Sequence, residues 1–468
     1  MKKAIKFISC LLIIFIILSN SAFAVFQPDE KTYSDIYLVA SIDNGEIIAS
    51  KNNDMKTQPA ALATLVTAGV VMEACQNLDE YVTVSQTAYD SILGTGLVTA
   101  NLSVGEKIKI RDLLYCMLMF SAADASVVLA EHAGGSIGEF VSKMNSYVKK
   151  IGCKNTVLKN PHGLDADGQY TTANDMLIIV KKALQNPTLT EITSTTSYKI
   201  EKTNMSDERT IHTTNYMINS VHPNYYYRNA KGIKTGSTDL AGRCVVSTAH
   251  KDGYNYIAIV MKAPSKDVNG DDEADNCALV DCKTLFSWTF SNIKLKTVVT
   301  KGQIITPEFP VAHSWETDYV SLVATEDYSA LVPSGLDNTS VYFKLVDGSY
   351  PDALGSSTKT GDVVAKANVC YGNDVICTID LTVAEDISNS IVLTILHFIR
   401  DIFGSAFVKI LLILLAILII GYIILCIYIN RKKKSAKVKL VTPPKRNSAN
   451  LELQKKREER EKNNDFLE

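Results

Sequence analysis

Several common signatures are missing from this chain. Its ten cysteines include no C-x-x-C pair, which excludes the spacing of zinc ribbons and thioredoxin-like redox sites, and no metal or other cofactor is expected. Internal repeats are absent, and the only biased tract is the charged stretch Lys455–Lys462, which excludes a repeat architecture. An excess of basic charge is missing as well. Of 48 basic and 50 acidic residues, the tail from Arg431 holds 13 and 6 and the first 24 residues hold 3 and none, so the long middle carries 32 basic against 44 acidic. That balance gives no electrostatic reason to expect nucleic acid as a partner. Finally, charge of either sign is absent from Ile410 to Ile429, "ILLILLAILIIGYIILCIYI".

That last absence is long enough to cross a bilayer at 1.5 Å per residue. It is followed by "RKKK" at Arg431–Lys434, and the positive-inside tendency puts the flank in the cytoplasm. At the other end, "MKKAIKFISCLLIIFIILSNSAFA" has Lys2, Lys3 and Lys6, an apolar run and Ala22-Phe23-Ala24, the three regions of a secretory signal. The expected organisation is a signal peptide 1–24, a principal domain 28–295, a small β-rich domain 298–385, an amphipathic juxtamembrane helix 387–403, a transmembrane helix 407–429 and a basic cytoplasmic tail 430–468. The expected location is the cell membrane, single-pass, with the large domain extracytoplasmic. Cys75, Cys116 and Cys244 sit singly in apolar runs and read as buried thiols. In "CYGNDVIC", a two-residue turn at Asn373-Asp374 would set Cys370 opposite Cys377, where a bridge and two free thiols both stay open.

The principal domain mixes periods. "DIYLVASIDNGEIIASKNND" reads as a hairpin about Asn44-Gly45. A buried helix starts near Ala60, and an extended, turn-rich stretch follows from Val82. Helical spacing then covers Arg111–His132, interrupted at "SAAD", then Ile137–Ile151 and Asn174–Gln185, the last with Thr172 or Asn174 as cap. A strand through Lys234 turns at "TDLAG", and "RCVVSTAHKDGYNYIAIVM" is a second hairpin closed at Lys251-Asp252-Gly253. Cys277–Asn292 is a last helix. Strands, then helices, then strands that return to the first hairpin predict an α/β (α+β) sandwich on an antiparallel sheet. Beyond Thr297 "VYFKLVDG", "DVVAKANVCY" and "VICTIDLTVA" alternate at period two, predicting an all-β domain.

Three stretches carry chemistry. "GIKTGSTDLAG" contains Lys234, Thr235, Gly236 and Ser237; "LLYCMLMFSAADASVVLAEH" contains Ser121-Ala122-Ala123; "TQPAALATLVTAGVVMEA" opens a buried helix at Pro59. Their order and settings resemble the D-alanyl-D-alanine carboxypeptidases, the low-molecular-mass penicillin-binding proteins, over residues 30 to 290. The resemblance implies the penicillin-binding-protein/β-lactamase-like fold and a serine peptidase acting on peptidoglycan stem peptides ending in D-Ala-D-Ala. It also implies that Ser121, Lys234, Thr235, Gly236 and Ser237 bind the substrate's terminal carboxylate, with the N–H groups of Ser237 and Ala61 as the oxyanion hole. The departures are equally specific. The family's Ser-x-x-Lys falls on Ala61 and Thr64, and the asparagine of its Ser-x-Asn falls on Ala123. Other Ser-x-x-Lys matches, at Ser146, Ser291 and Ser356, and a second Lys-Thr-Gly at Lys359, lie in unrelated contexts.

A serine hydroxyl attacks a peptide carbonyl only when a neighbouring base takes its proton, and one helical turn puts residues i and i+3 on one face for that purpose. Ala61 has no oxygen and Thr64 no basic nitrogen. The expectation is therefore a wall-facing pseudoenzyme that binds stem peptide or a wall protein. Two alternatives stand beside it: an active carboxypeptidase with another nucleophile, and a structural or signalling membrane protein that uses its β domain or tail. Bland roles also remain open, with Lys234 filling a buried polar pocket, Ser121 capping a helix, and His162 of "NPHGLD" serving as a loop residue and not a base.

Overall fold

The computed structural model describes residues 26–387 apart from 313, 315, 316, 338, 339, 356, 357 and 373, together with the helix Ala406–Ala436 and isolated positions between 392 and 396 and between 454 and 456. The segment 1–24, nearly all of 387–403 and most of 430–468 lie outside the described residues.

The principal sheet is antiparallel. It is built from β1 (Ile36–Ser41), β2 (Ile47–Lys51), β3 (Ala230–Thr238), β4 (Gly242–Lys251) and β5 (Tyr254–Ala263) in the order β2-β1-β5-β4-β3. All six residues of β1 are buried, so both faces of the sheet are covered. The two-residue alternation of a strand divides its side chains cleanly. Ile36, Leu38, Ile257, Ile259 and Met261 join a core on one face, and Tyr37, Val39, Tyr256, Ala258 and Val260 a core on the other. Each such buried aliphatic side chain contributes roughly 1.5–3 kcal/mol. The β4–β5 connection is Asp252-Gly253, with φ of 53° and 84°, the doubly positive turn that the Asp-Gly pair favours.

The first core lies beneath α1 (Thr64–Ala74), α2 (Ile110–Phe120), α3 (Ala123–Gly134), α4 (Ile137–Lys150) and α5 (Ala173–Leu184). Helix α1 is buried from Thr64 to Val71, apolar all round as an interior helix must be. Thr172 caps α5 by accepting from Asp175 N at 3.1 Å. The second core lies beneath α6 (Cys277–Asn292). Two short helices depart from the sequence reading. Gln86–Asp90, in the stretch read as extended, is capped by Ser85, and Pro187–Ser194 is capped by Asn186 with proline in its first turn, a start signal the sequence already carries.

The β region follows directly. β6 (Ile293–Val299) pairs with β9 (Tyr328–Pro333), and Ile293 and Leu331 join the α6-side core. A six-stranded sheet holds β7 (Ile304–Ala312), β8 (Tyr319–Ala324), β10 (Val341–Leu345), β11 (Ala365–Tyr371) and β12 (Asp374–Val383), five strands in the order β10-β11-β12-β8-β7. The expected direct cross-strand pairing of cysteines is not formed. Tyr371 faces Asp374, and a bulge between Val369 and Cys370 sets Cys370 opposite Val375 and Cys377 opposite Val369; both thiols are free. By itself, α7 (Ala406–Ala436) carries an apolar stretch, Lys409–Lys432, of 24 residues with mean hydropathy 3.4, long enough to cross a membrane.

Candidate functional site

Between the helices and the edge strand β3 lies a cleft of about 310 Å³, lined by Ala61, Ser121, Ala123, His162, Gly236, Ser237 and Arg243 among others. Its floor starts at a 3-10 turn, Ala60–Ala63, which runs straight into α1. The turn is held closely from two sides. A Cβ on Gly163 would stand 1.8 Å from Ala60 O, and one on Gly236 would stand 2.8 Å from Ala61 N. Both positions therefore require glycine, and Gly163, at φ 87°, requires it twice over. At Gly236 the missing side chain keeps the space beside the Ala61 N–H clear.

The cleft wall formed by the helices turns on Ser121. Helix α2 ends at Phe120, Ser121 takes the left-handed conformation at φ 62°, and α3 restarts at Ala123. Ser121 is thus the C-cap of α2 and a cleft residue at once. Its hydroxyl accepts from Lys234 Nζ, which also donates to Thr235 O at 2.8 Å. Lys234 is only 1% exposed, and burial lowers its pKa to about 7. Among the described residues no carboxylate pairs with it. The side chain is not among the residues that line the cleft. Thr235 shares a 2.6 Å hydrogen bond with Thr214, and Ser237, exposed at the rim, accepts from Arg243 Nη1 at 3.1 Å.

Thr64 is 2% exposed and donates its hydroxyl to Ala61 O at 2.6 Å, the local back-bond by which a helical threonine satisfies itself. Of the other Ser-x-x-Lys serines, Ser146 and Ser291 are exposed and off the cleft, and Ser356 lies outside the described residues. Lys359–Gly361 lies in a turn, with Gly361 at φ 100°.

The sequence reads His162 as a loop residue and not a base; Asp165, Arg243 and Asp124 escape that reading. His162 lines the cleft; its Nδ1 accepts from Leu164 N at 3.2 Å, and burial lowers its pKa to about 4. The proton of the neutral ring therefore sits on Nε2, so this imidazole is a donor and not a base. Asp165 accepts from the Thr238 hydroxyl at 2.6 Å and from Leu240 N at 3.0 Å, fastening the "NPHGLD" loop to the β3–β4 turn. Arg243 faces Ser237 across the β3–β4 ladder; its place directly after the Lys-Thr-Gly hairpin is the signal that could have found it. Asp124 accepts from Ala100 N, Leu102 N and Ala125 N at 2.8–3.1 Å, anchoring the loop that brings Leu97 and Val98 to the cleft.

An antiparallel sheet between helical layers, with a Lys-Thr-Gly edge strand facing a buried helix start and a serine at a helix break, defines the penicillin-binding-protein class of serine peptidases. Residues 22–265 match the family model described as D-alanyl-D-alanine carboxypeptidase, Peptidase S11, and the chain belongs to that family. It is 27% identical over 389 residues to the D-alanyl-D-alanine carboxypeptidase DacF of Bacillus subtilis, covering 79% of this chain and 94% of that one. It is 28% identical over 314 residues to DacA of Escherichia coli K12, covering 64% and 71%. Penicillin binding protein 5 from Haemophilus influenzae superposes with a TM-score of 0.56 at 25% identity, covering 78% of this chain and 100% of that one. The DacD structure from Francisella tularensis, at TM-score 0.60 and 19% identity, shares the fold.

Proposed function

We propose that this chain is a membrane-anchored, non-acylating member of the carboxypeptidase family that holds the carboxylate end of peptidoglycan stem peptides without cleaving them. The observation that carries the reading is the methyl group of Ala61 in the cleft beside Gly236, with Thr64 turned inward onto Ala61 O. Ala61 carries no hydroxyl and Thr64 carries no amine. In a serine protease, loss of nucleophile or base alone costs about 10⁶ in turnover, roughly 8 kcal/mol. Binding elements still line the cleft: Ala61 with its N–H, Ser121, Thr235 and Ser237. Two charge-assisted hydrogen bonds supply grossly ~3–6 kcal/mol against an association cost of at least ~4 kcal/mol. A bare D-Ala-D-Ala end therefore binds weakly, near the millimolar range, and longer stem peptides bind better. Helix α7, with Arg431 and Lys432 at its end, supports anchoring with the tail in the cytoplasm.

Incubation of the full chain with a fluorescent penicillin tests this. No covalent label is expected, whereas Ala61→Ser with Thr64→Lys and Ala123→Asn should acylate. Labelling of the wild type, or a folded but inert triple variant, would sink the reading. One observation favours the alternative of residual activity: Ser121 Oγ rests on a lysine whose pKa is about 7, which at neutral pH can take a proton. Label on the wild type that disappears in Ser121→Ala would establish that alternative.

A further inference from the structure

We propose that Arg243, and not Lys234, reads the carboxylate of the ligand in this chain. The assignment rests on the carboxylate-binding reading above and names the residue that performs it. Lys234 is buried to 1% exposure, its Nζ already donates to Ser121 Oγ and Thr235 O, and it is absent from the cleft lining. His162, the other nitrogen base on the cleft, is neutral at physiological pH. Among the described residues Arg243 is the one permanently charged group in the cleft lining, and it forms no ion pair there.

Its placement suits the task. Arg243 opens β4 directly opposite Ser237 on β3, and Nη1 donates to Ser237 Oγ at 3.1 Å. That bond uses one of five guanidinium N–H donors and locates the rest at the rim. Because Ser237 accepts from the arginine, its own hydroxyl proton is left to donate. A carboxylate at this rim would meet a planar two-pronged donor and a hydroxyl side by side, the geometry that favours bidentate recognition over a point charge. The ligand class is therefore a peptide with a free C-terminal carboxylate, and amidation of that carboxylate should abolish the contribution.

The test is an isothermal or NMR titration of the full chain in detergent micelles with Nα-acetyl-L-Lys-D-Ala-D-Ala and with its C-terminal amide. Wild type should prefer the acid, and Arg243→Gln should weaken acid binding about tenfold to a hundredfold, the span of a charge-assisted hydrogen bond, while leaving the amide unchanged. Arg243→Lys, which keeps charge without the fork, should fall between. If wild type binds the acid and Arg243→Gln keeps the full preference over the amide, this assignment is wrong while the binding function stands. If wild type binds neither peptide, function and assignment fall together.

Discussion

Lys234 is a lysine in an unusual place. A cation buried without a carboxylate disfavours its own charged form, which is why its pKa falls from 10.5 to about 7. The sign of the consequence is fixed. Between about pH 7 and 10.5 the unfolded chain binds more protons at this site than the folded one, so stability rises with pH across that window, and below about pH 7 the full burial penalty is felt. Lys234→Met should flatten that rise, read as urea midpoints of both proteins between about pH 7 and 9. Equal slopes would mean that the ammonium is solvated in the folded state. Thr64 makes the opposite case, since its hydroxyl needs nothing beyond its own helix. Thr64→Val should therefore cost only about 1 kcal/mol or less, visible as a small shift in thermal midpoint.

At the scale of elements, the cleft depends on loops brought against a helix start. The "NPHGLD" loop is tied to α1 by Thr67 Oγ1 donating to Pro161 O at 2.7 Å, and internally by Asn160 accepting from Gly163 N at 2.6 Å. Gly163 and Gly168 both have positive φ, 87° and 73°. Their surroundings separate them: a Cβ on Gly168 would meet nothing closer than 3.6 Å, whereas one on Gly163 would overlap Ala60 O. Gly168→Ala should cost only the left-handed strain, about 1–2 kcal/mol. Gly163→Ala should cost at least twice that and displace the turn that carries Ala61. Chemical denaturation of the two variants makes the comparison, and equal losses would place the 160s loop further from the helix start than it is here.

For the molecule as a whole, the decisive element is α7. The apolar stretch Lys409–Lys432 matches the thickness of a hydrocarbon core, and the basic residues at its C-terminal end set an expected orientation. The full chain should stay in the membrane pellet through an alkaline wash, and truncation before Ala406 should release the rest into the soluble fraction. Protease added outside intact protoplasts should digest the α/β domain and spare the tail; a digested tail would reverse the orientation. Under the proposed function, tethering would bear on weak binding, because a membrane-held cleft would work at a raised local ligand concentration.

Much of this was legible in one dimension. Helix α6 begins and ends where its apolar periodicity does, the Asp252-Gly253 turn follows from two residue identities, and the missing hydroxyl at Ala61 and missing amine at Thr64 are read from the side chains alone, since no tertiary contact can add an oxygen to alanine. Other features needed the folded chain. The bulge at Val369 shifts the β11–β12 register and separates the two cysteines by position. Lys234 and Ser121 are 113 residues apart in sequence, and nothing local says that the lysine is buried against that serine. Arg243 became a site residue only once the β3–β4 register set it against Ser237. The division has one physical cause. Covalent chemistry belongs to the residue and is written in the sequence, whereas exposure, pKa and the choice of donor belong to the surroundings, which exist only after distant segments have packed.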